Sequence, residues 1–318
     1  MQRVARAFVL STLALVAACS RGSGGAHRLS IAVIPKGTTH VFWKSVERGA
    51  REAAEELGVD IQWKGPLVEN DRAQQIQLVE QFVSQKIDGI ALAPLDHTAL
   101  AKPVAQARAA GIPVVVFDSA LDGRAPTAFA STVSTDNEKG GRMAGEKLAA
   151  LLGTEGKVVL LRYMVGSAST ASREEGFLAA LKAHGGMEVI VDNRYAGATA
   201  GEAKGEALNL ADPLGQATGI FCPNESSTMG MLLALRQLGF AGKIRFVGFD
   251  ASPPLIEALK SGEIDALVVQ DPRKMGNLAV KTLVSAIKKQ KVAPSIDTGA
   301  VLVTKDDLEK PEIRALLE

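Results

Sequence analysis

Cysteine is scarce in this sequence: its 318 residues include only Cys19 and Cys222. Two cysteines cannot form the disulfide framework that small secreted scaffolds use in place of a large core. Cys222 ends the apolar, strand-like run Gly-Ile-Phe-Cys, a context typical of a buried and inert thiol. The fold must therefore be stabilised by packing.

Charge imbalance, clustered histidine and nucleotide-binding glycine motifs are also lacking. The formal net charge is +1, so no strong field indicates binding to nucleic acid or to an acidic partner. The four histidines are scattered without the spacing of metal ligands. The segment 153–158 (Gly-Thr-Glu-Gly-Lys-Val) fails the P-loop spacing, and no Gly-x-Ser-x-Gly elbow is present. We expect no catalysis, no metal and no cofactor.

Long apolar runs are confined to the N-terminus. Arg3 and Arg6 precede an apolar stretch at 7–16, and small residues then lead into Cys19. This layout is typical of a secretory signal, and the stretch is too short for a permanent membrane helix. A cleavage that leaves Cys19 first resembles the bacterial lipoprotein box, which implies lipidation of that cysteine. The alternative is an ordinary cleaved signal with an incidental cysteine.

We therefore predict a signal peptide at 1–18 and a lipidated, flexible Gly/Ser-rich tether at 19–27. No later segment approaches the roughly 18 uninterrupted apolar residues of a membrane span. About 290 residues remain, which is enough for two domains.

Short β-branched runs alternate along the chain with longer amphipathic stretches. Apolar residues at three- and four-residue spacing predict helices between strands. In the first half the predicted strands are 29–34, 87–92, 114–117 and 128–133, and the predicted helices are 42–57, 73–85 and 100–110. This order is typical of βαβ units in a parallel sheet covered by helices on both faces.

The same alternation fills the second half. The predicted strands are 157–161, 188–191, 219–222 and 244–249, and the predicted helices are 139–152, 172–184, 200–210 and 226–238. A third section adds a helix at 253–262, a strand at 265–270, a helix at 274–289, a strand at 300–303 and a short helix at 311–317. The fold class is α/β, with two Rossmann-like, doubly wound parallel-sheet lobes.

Polar and aromatic residues follow the predicted strands, at the edge where open parallel sheets bind ligands. These residues are His40, Phe42, Trp43, Asp118, Arg173, Asn224, Asp250 and Gln270. Carboxylates accept hydrogen bonds from hydroxyls, amides donate and accept, and arginine donates several bonds. Aromatic rings can cover the apolar face of a sugar ring. Such a set suits a ligand rich in hydroxyls, although it also describes small-molecule pockets in general.

Six motifs, taken together and in order, carry a resemblance to a known family. They are Ala-Leu-Ala-Pro-Leu-Asp at 91–96, Gly-Ile-Pro-Val-Val-Val-Phe-Asp at 111–118, Ser-Thr-Asp-Asn at 134–137, Arg-Glu-Glu-Gly-Phe at 173–177, Phe-Cys-Pro-Asn-Glu at 221–225 and Val-Gly-Phe-Asp at 247–250. With them, nearly the whole mature chain resembles a periplasmic sugar-binding protein of the ribose-binding type. LacI-type repressors share the core fold, but they begin with a helix-turn-helix where this chain begins with a signal peptide.

The resemblance implies the periplasmic binding protein type 1 fold, in which two lobes are joined by a three-crossover hinge and close on a ligand between them. The implied N-terminal lobe is 28–134 plus 271–297, and the implied C-terminal lobe is 135–270 plus 298–318. The crossovers are expected near 133–136, 270–272 and 296–300.

The resemblance also implies roles for the polar and aromatic residues. Phe42 and Trp43 match an aromatic pair that stacks on the sugar, Asp118 matches a hydroxyl-binding aspartate, and Arg173 matches a donor to the ring oxygen and hydroxyls. Asn224, Asp250 and Gln270 match the polar set of the second lobe and hinge.

Three positions depart from the family pattern. His40 and Ala93 each replace a usual asparagine, and Ser119 replaces a usual arginine. The class of ligand is therefore implied, but the particular sugar is not.

Several residues have a structural alternative. Asp118 and Asp250 can cap helices, and for Asp136 capping is the favoured interpretation. Arg173 can instead form a surface ion pair. Tyr195 can line the cleft or pack at a strand end.

The implied function is that of an extracytoplasmic lipoprotein, in the periplasm or at the cell surface. It would capture a monosaccharide or a similar polyhydroxy ligand as a monomer and deliver it to an ABC permease, with no nucleic acid partner. Two alternatives stay open: a non-sugar ligand (a polyol, a nucleoside or a signalling furanone), or presentation of the ligand to a sensory receptor.

Overall fold

The computed structural model describes residues 28–317. The predicted signal peptide, Cys19 and the tether lie outside the described residues. No helix within the described part of the chain is both long enough and apolar enough to cross a bilayer.

Strands and helices alternate through most of the described chain. The strands are β1 (Ser30–Ile34), β2 (Asp60–Trp63), β3 (Gly89–Leu92), β4 (Val114–Phe117), β5 (Ser131–Ser134), β6 (Gly156–Arg162), β7 (Met187–Tyr195), β8 (Gly219–Phe221), β9 (Arg245–Phe249), β10 (Ala266–Gln270), β11 (Ser295–Asp297) and β12 (Ala300–Val303). The helices are α1 (Val41–Leu57), α2 (Arg72–Ser84), α3 (Ala101–Ala109), α4 (Asn137–Leu152), α5 (Ala168–His184), α6 (Ala200–Leu208), α7 (Ala211–Leu214), α8 (Glu225–Leu238), α9 (Pro253–Ser261), α10 (Pro272–Ile287) and α11 (Pro311–Leu317). A short 3-10 helix at Lys305–Asp307 precedes α11.

The strands form two six-stranded sheets, one in each lobe. Their orders are β11-β5-β4-β3-β1-β2 and β12-β10-β9-β8-β6-β7. All neighbours pair in parallel except β12, which runs antiparallel to β10 and places Ala300 opposite Gln270. The chain enters β12 from the carboxyl end of β10, so a strand that starts there has to run the other way.

Each sheet has an apolar core on both faces. In β1, Ile31 and Val33 point into one buried cluster, and Ala32 and Ile34 point into the cluster on the opposite face. In a strand buried on both faces, polar and apolar residues need not alternate. Continuous apolar runs therefore predicted these strands correctly. The predicted α/β fold with two parallel-sheet lobes is confirmed.

Of the strands in the first sheet, β11 was not predicted, and β2 was indicated only by the strand-like context of Ile61-Gln62-Trp63. Both lie at the edges of that sheet. β2 is Asp-Ile-Gln-Trp and has no fully buried residue, and β11 is only Ser-Ile-Asp. Short, partly exposed edge strands lack the apolar run by which the central strands were recognised.

The chain crosses between the two sheets three times. The crossovers are β5 to α4, β10 to α10, and β11 to β12. Thr135 connects them, because its Oγ1 donates to Oε1 of Gln270 at 2.8 Å and lies 3.3 Å from Oγ1 of Thr298. The three segments therefore run side by side, as the predicted three-crossover hinge requires.

Two crossovers lead into helices that touch their neighbours backbone to backbone. A Cβ added to Gly141 of α4 would lie 1.8 Å from the carbonyl oxygen of Arg173 in α5. A Cβ added to Gly276 of α10 would lie 2.0 Å from the carbonyl oxygen of Val46 in α1. Each of these crossover helices is thus packed against a helix that begins at the cleft.

Candidate functional site

A cavity lies between the two lobes, beyond the carboxyl ends of the central strands. All eight residues predicted as ligand contacts line it: His40, Phe42, Trp43, Asp118, Arg173, Asn224, Asp250 and Gln270. Six further lining residues were not among the predicted ligand contacts: Lys36, Glu69, Tyr163, Ser169, Thr170 and Glu225.

The aromatic wall of the cavity comes from the start of α1. Phe42 and Trp43 pack edge to face, with ring centroids 4.9 Å apart. Adjacent residues of a helix point about 100° apart, so the two rings contact different parts of the protein. Trp43 is 2% exposed and also contacts Phe117 of the first-lobe core, with 6.3 Å between centroids. Phe42 is only partly buried, and its backbone N–H donates to Oε2 of Glu225 in the second lobe at 3.1 Å.

Lys36 and Asp118 form a buried ion pair beside this wall. Lys36 Nζ lies 2.9 Å from Asp118 Oδ2 and donates to Ser169 Oγ, at the start of α5, at 3.0 Å. Asp118 directly follows β4 and has φ +62°, so it is a bend residue and not the cap of a helix. The pair is shared between lobes, because Ser169 belongs to the second.

Glu69, from the loop between β2 and α2, lies at the centre of a second buried cluster. Its Oε1 accepts from Trp43 Nε1 and pairs with His40 Nδ1, each at 2.7 Å, and its Oε2 accepts from the Tyr163 hydroxyl at 3.0 Å. Burial by itself would raise the pKa of Glu69, but the hydrogen bond and charge of His40, with the charge of Lys36, hold that pKa below its usual range. Glu69 therefore stays a carboxylate and an acceptor.

His40 has the converse shift. Burial lowers the pKa of His40, but the hydrogen bond to Glu69 and the charges of Glu69, Glu225 and Asp250 together raise it above its usual value. The cationic form of the imidazole is thus favoured relative to that of a free histidine. Its place immediately before α1 puts it at the cavity wall.

Arg173 supplies the polar floor from the second lobe. Its Nε donates to Asn137 Oδ1 at 2.8 Å, and its Nη1 donates to the carbonyl oxygen of Pro223 at 2.9 Å. The guanidinium carbon lies 3.9 Å from the centroid of the Phe249 ring. Burial lowers the pKa of Arg173, although the charges of Asp250 and other carboxylates oppose that shift. At 2% exposure Arg173 is not the surface ion-pair residue of the alternative interpretation.

A chain of hydrogen bonds joins the cavity to the hinge. Asp250 follows β9 with φ +67°, and its Oδ1 accepts from Gln270 Nε2 at 2.6 Å. Gln270 in turn accepts from Thr135 at the first crossover. Burial raises the pKa of Asp250, against the opposing charge of Arg173. Asp250 does not cap the next helix, since α9 begins after Ser252, but its Oδ2 accepts from the backbone N–H of Glu225 at the start of α8 at 3.0 Å.

Asn224 and Asp136, which the sequence analysis considered, both act as helix caps. Asn224 Oδ1 accepts from the backbone N–H of Ser227 at 3.3 Å, so this predicted ligand contact also caps α8. Asp136 accepts from the backbone N–H of Lys139 at 3.0 Å and caps α4, which confirms the favoured interpretation of that residue.

The missed residues left weak signals in the sequence. Tyr163 follows β6, whose end was predicted at Leu161, one residue before Arg162. Ser169 and Thr170 belong to α5, which begins at Ala168 and not at 172. Tyr195, the tyrosine considered for the cleft, is 43% exposed on β7 and is not among the lining residues.

The departures from the family pattern have partners within the protein. Ser119 Oγ accepts from the backbone N–H of Ser169 at 3.1 Å, which links the lobes. The carbonyl of Ala93 accepts from Gln75 Nε2 at 2.8 Å. Within residues 28–317, no cluster of three or more His, Cys, Asp or Glu side chains is arranged to hold a metal ion.

Two α/β lobes, three crossovers and a polar, aromatic cavity between the lobes define a hinged solute-binding protein. The family model for the periplasmic binding protein domain matches residues 31–291, and the chain belongs to this family. The predicted family and the predicted role as a periplasmic solute-binding protein are thereby confirmed. This is a family of solute-binding proteins, not of enzymes.

Relatives include both characterised proteins and solved structures. The D-allose-binding periplasmic protein of Escherichia coli (strain K12) is 30% identical over 268 residues, which cover 83% of this chain and 86% of that protein. The periplasmic component of an ABC-type sugar transport system from Hahella chejuensis is 38% identical, with a TM-score of 0.83, and the match covers 86% of this chain and 99% of that one. A carbohydrate transporter solute binding protein from Agrobacterium radiobacter, solved with D-arabinose, is 35% identical with a TM-score of 0.87, and covers 92% and 100%.

Proposed function

We propose that the protein binds a monosaccharide or a similar polyhydroxy ligand in the interlobe cavity and delivers it to an ABC permease. The observation that carries this proposal is the convergence of all eight predicted ligand contacts on one cavity. The relatives named for D-allose or solved with D-arabinose support a neutral sugar as the ligand. No catalytic step and no cofactor form part of the proposal.

Different residues of the cavity would contact different parts of a bound sugar. Phe42 covers the apolar face of the ring, and Trp43 supports it from behind. Asp118 and Asp250 accept from hydroxyls on opposite sides, and Arg173 donates to the ring oxygen or a hydroxyl. His40, Asn224 and Gln270 complete the set, with the Asn224 carbonyl oxygen shared with the cap of α8.

Ligand binding is coupled to closure of the lobes. We assign 28–134 plus 271–297 to the first lobe and 135–270 plus 298–318 to the second, in keeping with the strands that each sheet contains. Residues of both lobes face the cavity, so the closed arrangement alone offers the complete set of contacts. A ligand therefore shifts the population toward closure, and the closed protein, a monomer, is the form that a permease recognises.

The proposed anchor is tested at Cys19. A lipid on this residue would hold the protein at the membrane, so Cys19→Ser should move it from the membrane to the soluble extracytoplasmic fraction. Cell fractionation followed by immunoblotting measures the distribution. An unchanged distribution would reject the lipid anchor while leaving the binding function intact.

The ligand is tested by a thermal-shift screen of the purified protein with aldopentoses, aldohexoses, polyols and nucleosides. A ligand at 100 times its Kd stabilises by roughly 2.7 kcal/mol, which raises Tm by several degrees. We expect D-allose, D-ribose or D-arabinose to give such a shift.

Arg173→Ala should weaken the binding of that sugar by about 30-fold or more, because a buried donor is lost. Arg194→Ala, at an exposed position of the second lobe, is the matched control. A shift only with a polyol or nucleoside would replace the sugar by that class. Unchanged affinity in a folded Arg173→Ala variant would remove Arg173 from the site.

A further inference from the structure

Glu69 is a buried carboxylate that none of the sequence motifs includes. It comes from the loop after an edge strand, is 6% exposed, and touches three side chains of the cavity wall. Two of them, His40 and Trp43, share its Oε1, and the third, Tyr163, donates to its Oε2. Glu69 therefore does more than line the cavity, because it bonds to three of the side chains that form the cavity wall.

The three partners of Glu69 belong to different lobes. His40 and Trp43 lie at the start of α1, in the same lobe as Glu69, so their bonds to Glu69 can form before the cleft closes. Tyr163 follows β6 in the second lobe and reaches Glu69 only across the cleft. One carboxylate oxygen is thus satisfied within the first lobe, and the other is satisfied by closure.

Tyr163 is held in place to make this contact. Its backbone N–H donates to Glu174 Oε1 at 3.0 Å, and Arg162 Nη1 donates to the other oxygen of Glu174 at 2.7 Å. Tyr163 is 2% exposed, and burial raises the pKa of its phenol well above the usual value, so the hydroxyl remains a donor. Glu174 belongs to the Arg-Glu-Glu-Gly-Phe motif, and this contact gives that motif residue a physical role.

A carboxylate oxygen buried without a donor is costly, typically by more than a neutral hydrogen bond contributes. In an open cleft, water can donate to Oε2 of Glu69. When the cleft closes and excludes water, Tyr163 is the donor that the structure provides. Once the Tyr163 hydroxyl is bound to Oε2, the carboxylate cannot rotate freely, and the direction in which Oε1 points toward His40 and Trp43 is fixed.

We propose that Glu69 is a positioning residue that couples cleft closure to the shape of the aromatic wall. Closure brings the Tyr163 hydroxyl onto Oε2, and the fixed carboxylate then holds the Trp43 indole and the His40 imidazole in the orientation that faces the ligand. The inference rests on the proposed function only in that a small ligand binds in the cleft.

The test uses the fact that the chain has two tryptophans and two tyrosines. In ¹⁵N-labelled protein the indole N–H groups of Trp43 and Trp63 give two resonances, which Trp63→Phe assigns. Spectra are recorded with and without the sugar found in the thermal-shift screen. Tyr163→Phe removes only the hydroxyl, and Tyr195→Phe, at an exposed position of the same lobe, is the matched control.

We expect Tyr163→Phe to move the Trp43 indole resonance of the sugar-saturated protein. It should also weaken sugar affinity by about 10- to 100-fold, the range for a hydrogen bond to a charged group, mainly through faster dissociation. Tyr195→Phe should match the wild type in both measurements. In Glu69→Gln, the further loss on adding Tyr163→Phe should be much smaller, because the two residues act as one unit.

Other outcomes overturn the inference. Weaker affinity with an unmoved Trp43 resonance would make Tyr163 a direct ligand contact and not a partner in positioning. A moved resonance with unchanged affinity would show that the position of Trp43 does not matter for binding. If no compound of the screen binds the wild type, the sugar proposal fails separately. Identical Trp43 indole resonances in ligand-saturated wild type and ligand-saturated Tyr163→Phe, with unchanged affinity, would reject the coupling.

Discussion

At the scale of single residues, the cavity is a set of buried charges that are already paired. Lys36 lies on Asp118, His40 lies on Glu69, and the Arg173 guanidinium covers the Phe249 ring. Isolated buried charges are costly, whereas pairs with further hydrogen bonds are tolerated. A neutral ligand can exchange hydrogen bonds with such a set without disturbing its charge balance, which favours sugars over charged solutes.

Glu225 is an exception, since within residues 28–317 its carboxylate forms no ion pair and instead accepts from the backbone N–H of Phe42. Burial, and to a lesser extent the charge of Asp250, raise the pKa of Glu225. A carboxyl group whose pKa is higher in the folded than in the unfolded protein destabilises the fold at pH values above its unfolded pKa of about 4.3. The cost disappears as the pH falls below that value.

Glu225→Gln should therefore stabilise the protein at pH 7.5. The amide keeps an acceptor for Phe42 and removes the buried charge, and we expect Tm to rise by about 2 °C or more. The gain should shrink toward pH 4, where the wild-type side chain is protonated. Differential scanning calorimetry at both pH values measures this, with Glu146→Gln at an exposed site of α4 as the control. A gain that is equal at both pH values would contradict the electrostatic explanation.

At the scale of elements, the close contact of α4 and α5 links the first crossover to Arg173. The Cβ of an alanine at 141 would overlap the Arg173 carbonyl oxygen, so Gly141→Ala must push the two helices apart. Overpacking of this kind typically costs about 1–3 kcal/mol. We expect a lower Tm and, because Arg173 moves with α5, weaker sugar binding by isothermal titration calorimetry.

The matched control for Gly141→Ala is Gly205→Ala, at an exposed position of α6. There an added Cβ meets nothing within 4 Å, and alanine is the better helix former by about 0.5–1 kcal/mol. The two variants should therefore shift Tm in opposite directions, with only Gly141→Ala changing affinity. Equal shifts would show that helix propensity outweighs the interhelical contact.

The type of strand that precedes each site residue explains which of these residues could be predicted from the sequence. Residues such as Asp118 and Asp250 directly follow central strands, whose apolar runs are unmistakable, so their place at the cleft could be predicted. Glu69 follows the partly exposed edge strand β2, and no strand pattern indicated where its loop would lie. Pairings across the cleft, such as Tyr163 with Glu69, depend on how two lobes meet, and local periodicity carries no information on that.

At the scale of the whole molecule, the lobes are joined at two opposite edges of the cleft. At the hinge, Thr135, Gln270 and Asp250 form a continuous chain of hydrogen bonds. At the rim, Arg72 of the first lobe pairs with Asp96 and donates to the carbonyl oxygen of Val165 in the second lobe at 2.8 Å. The hinge bonds follow the covalent crossovers, whereas the rim bond exists only while the cleft is closed.

Arg72→Ala should therefore speed sugar dissociation and leave association nearly unchanged. Arg72 is exposed, so the lost bond corresponds to about a 2- to 10-fold faster koff, measured by stopped-flow fluorescence. Arg51→Ala is the control, because Arg51 pairs with Glu47 within α1 and does not span the cleft. If both variants release sugar at the wild-type rate, the Arg72 contacts contribute nothing to the lifetime of the closed state.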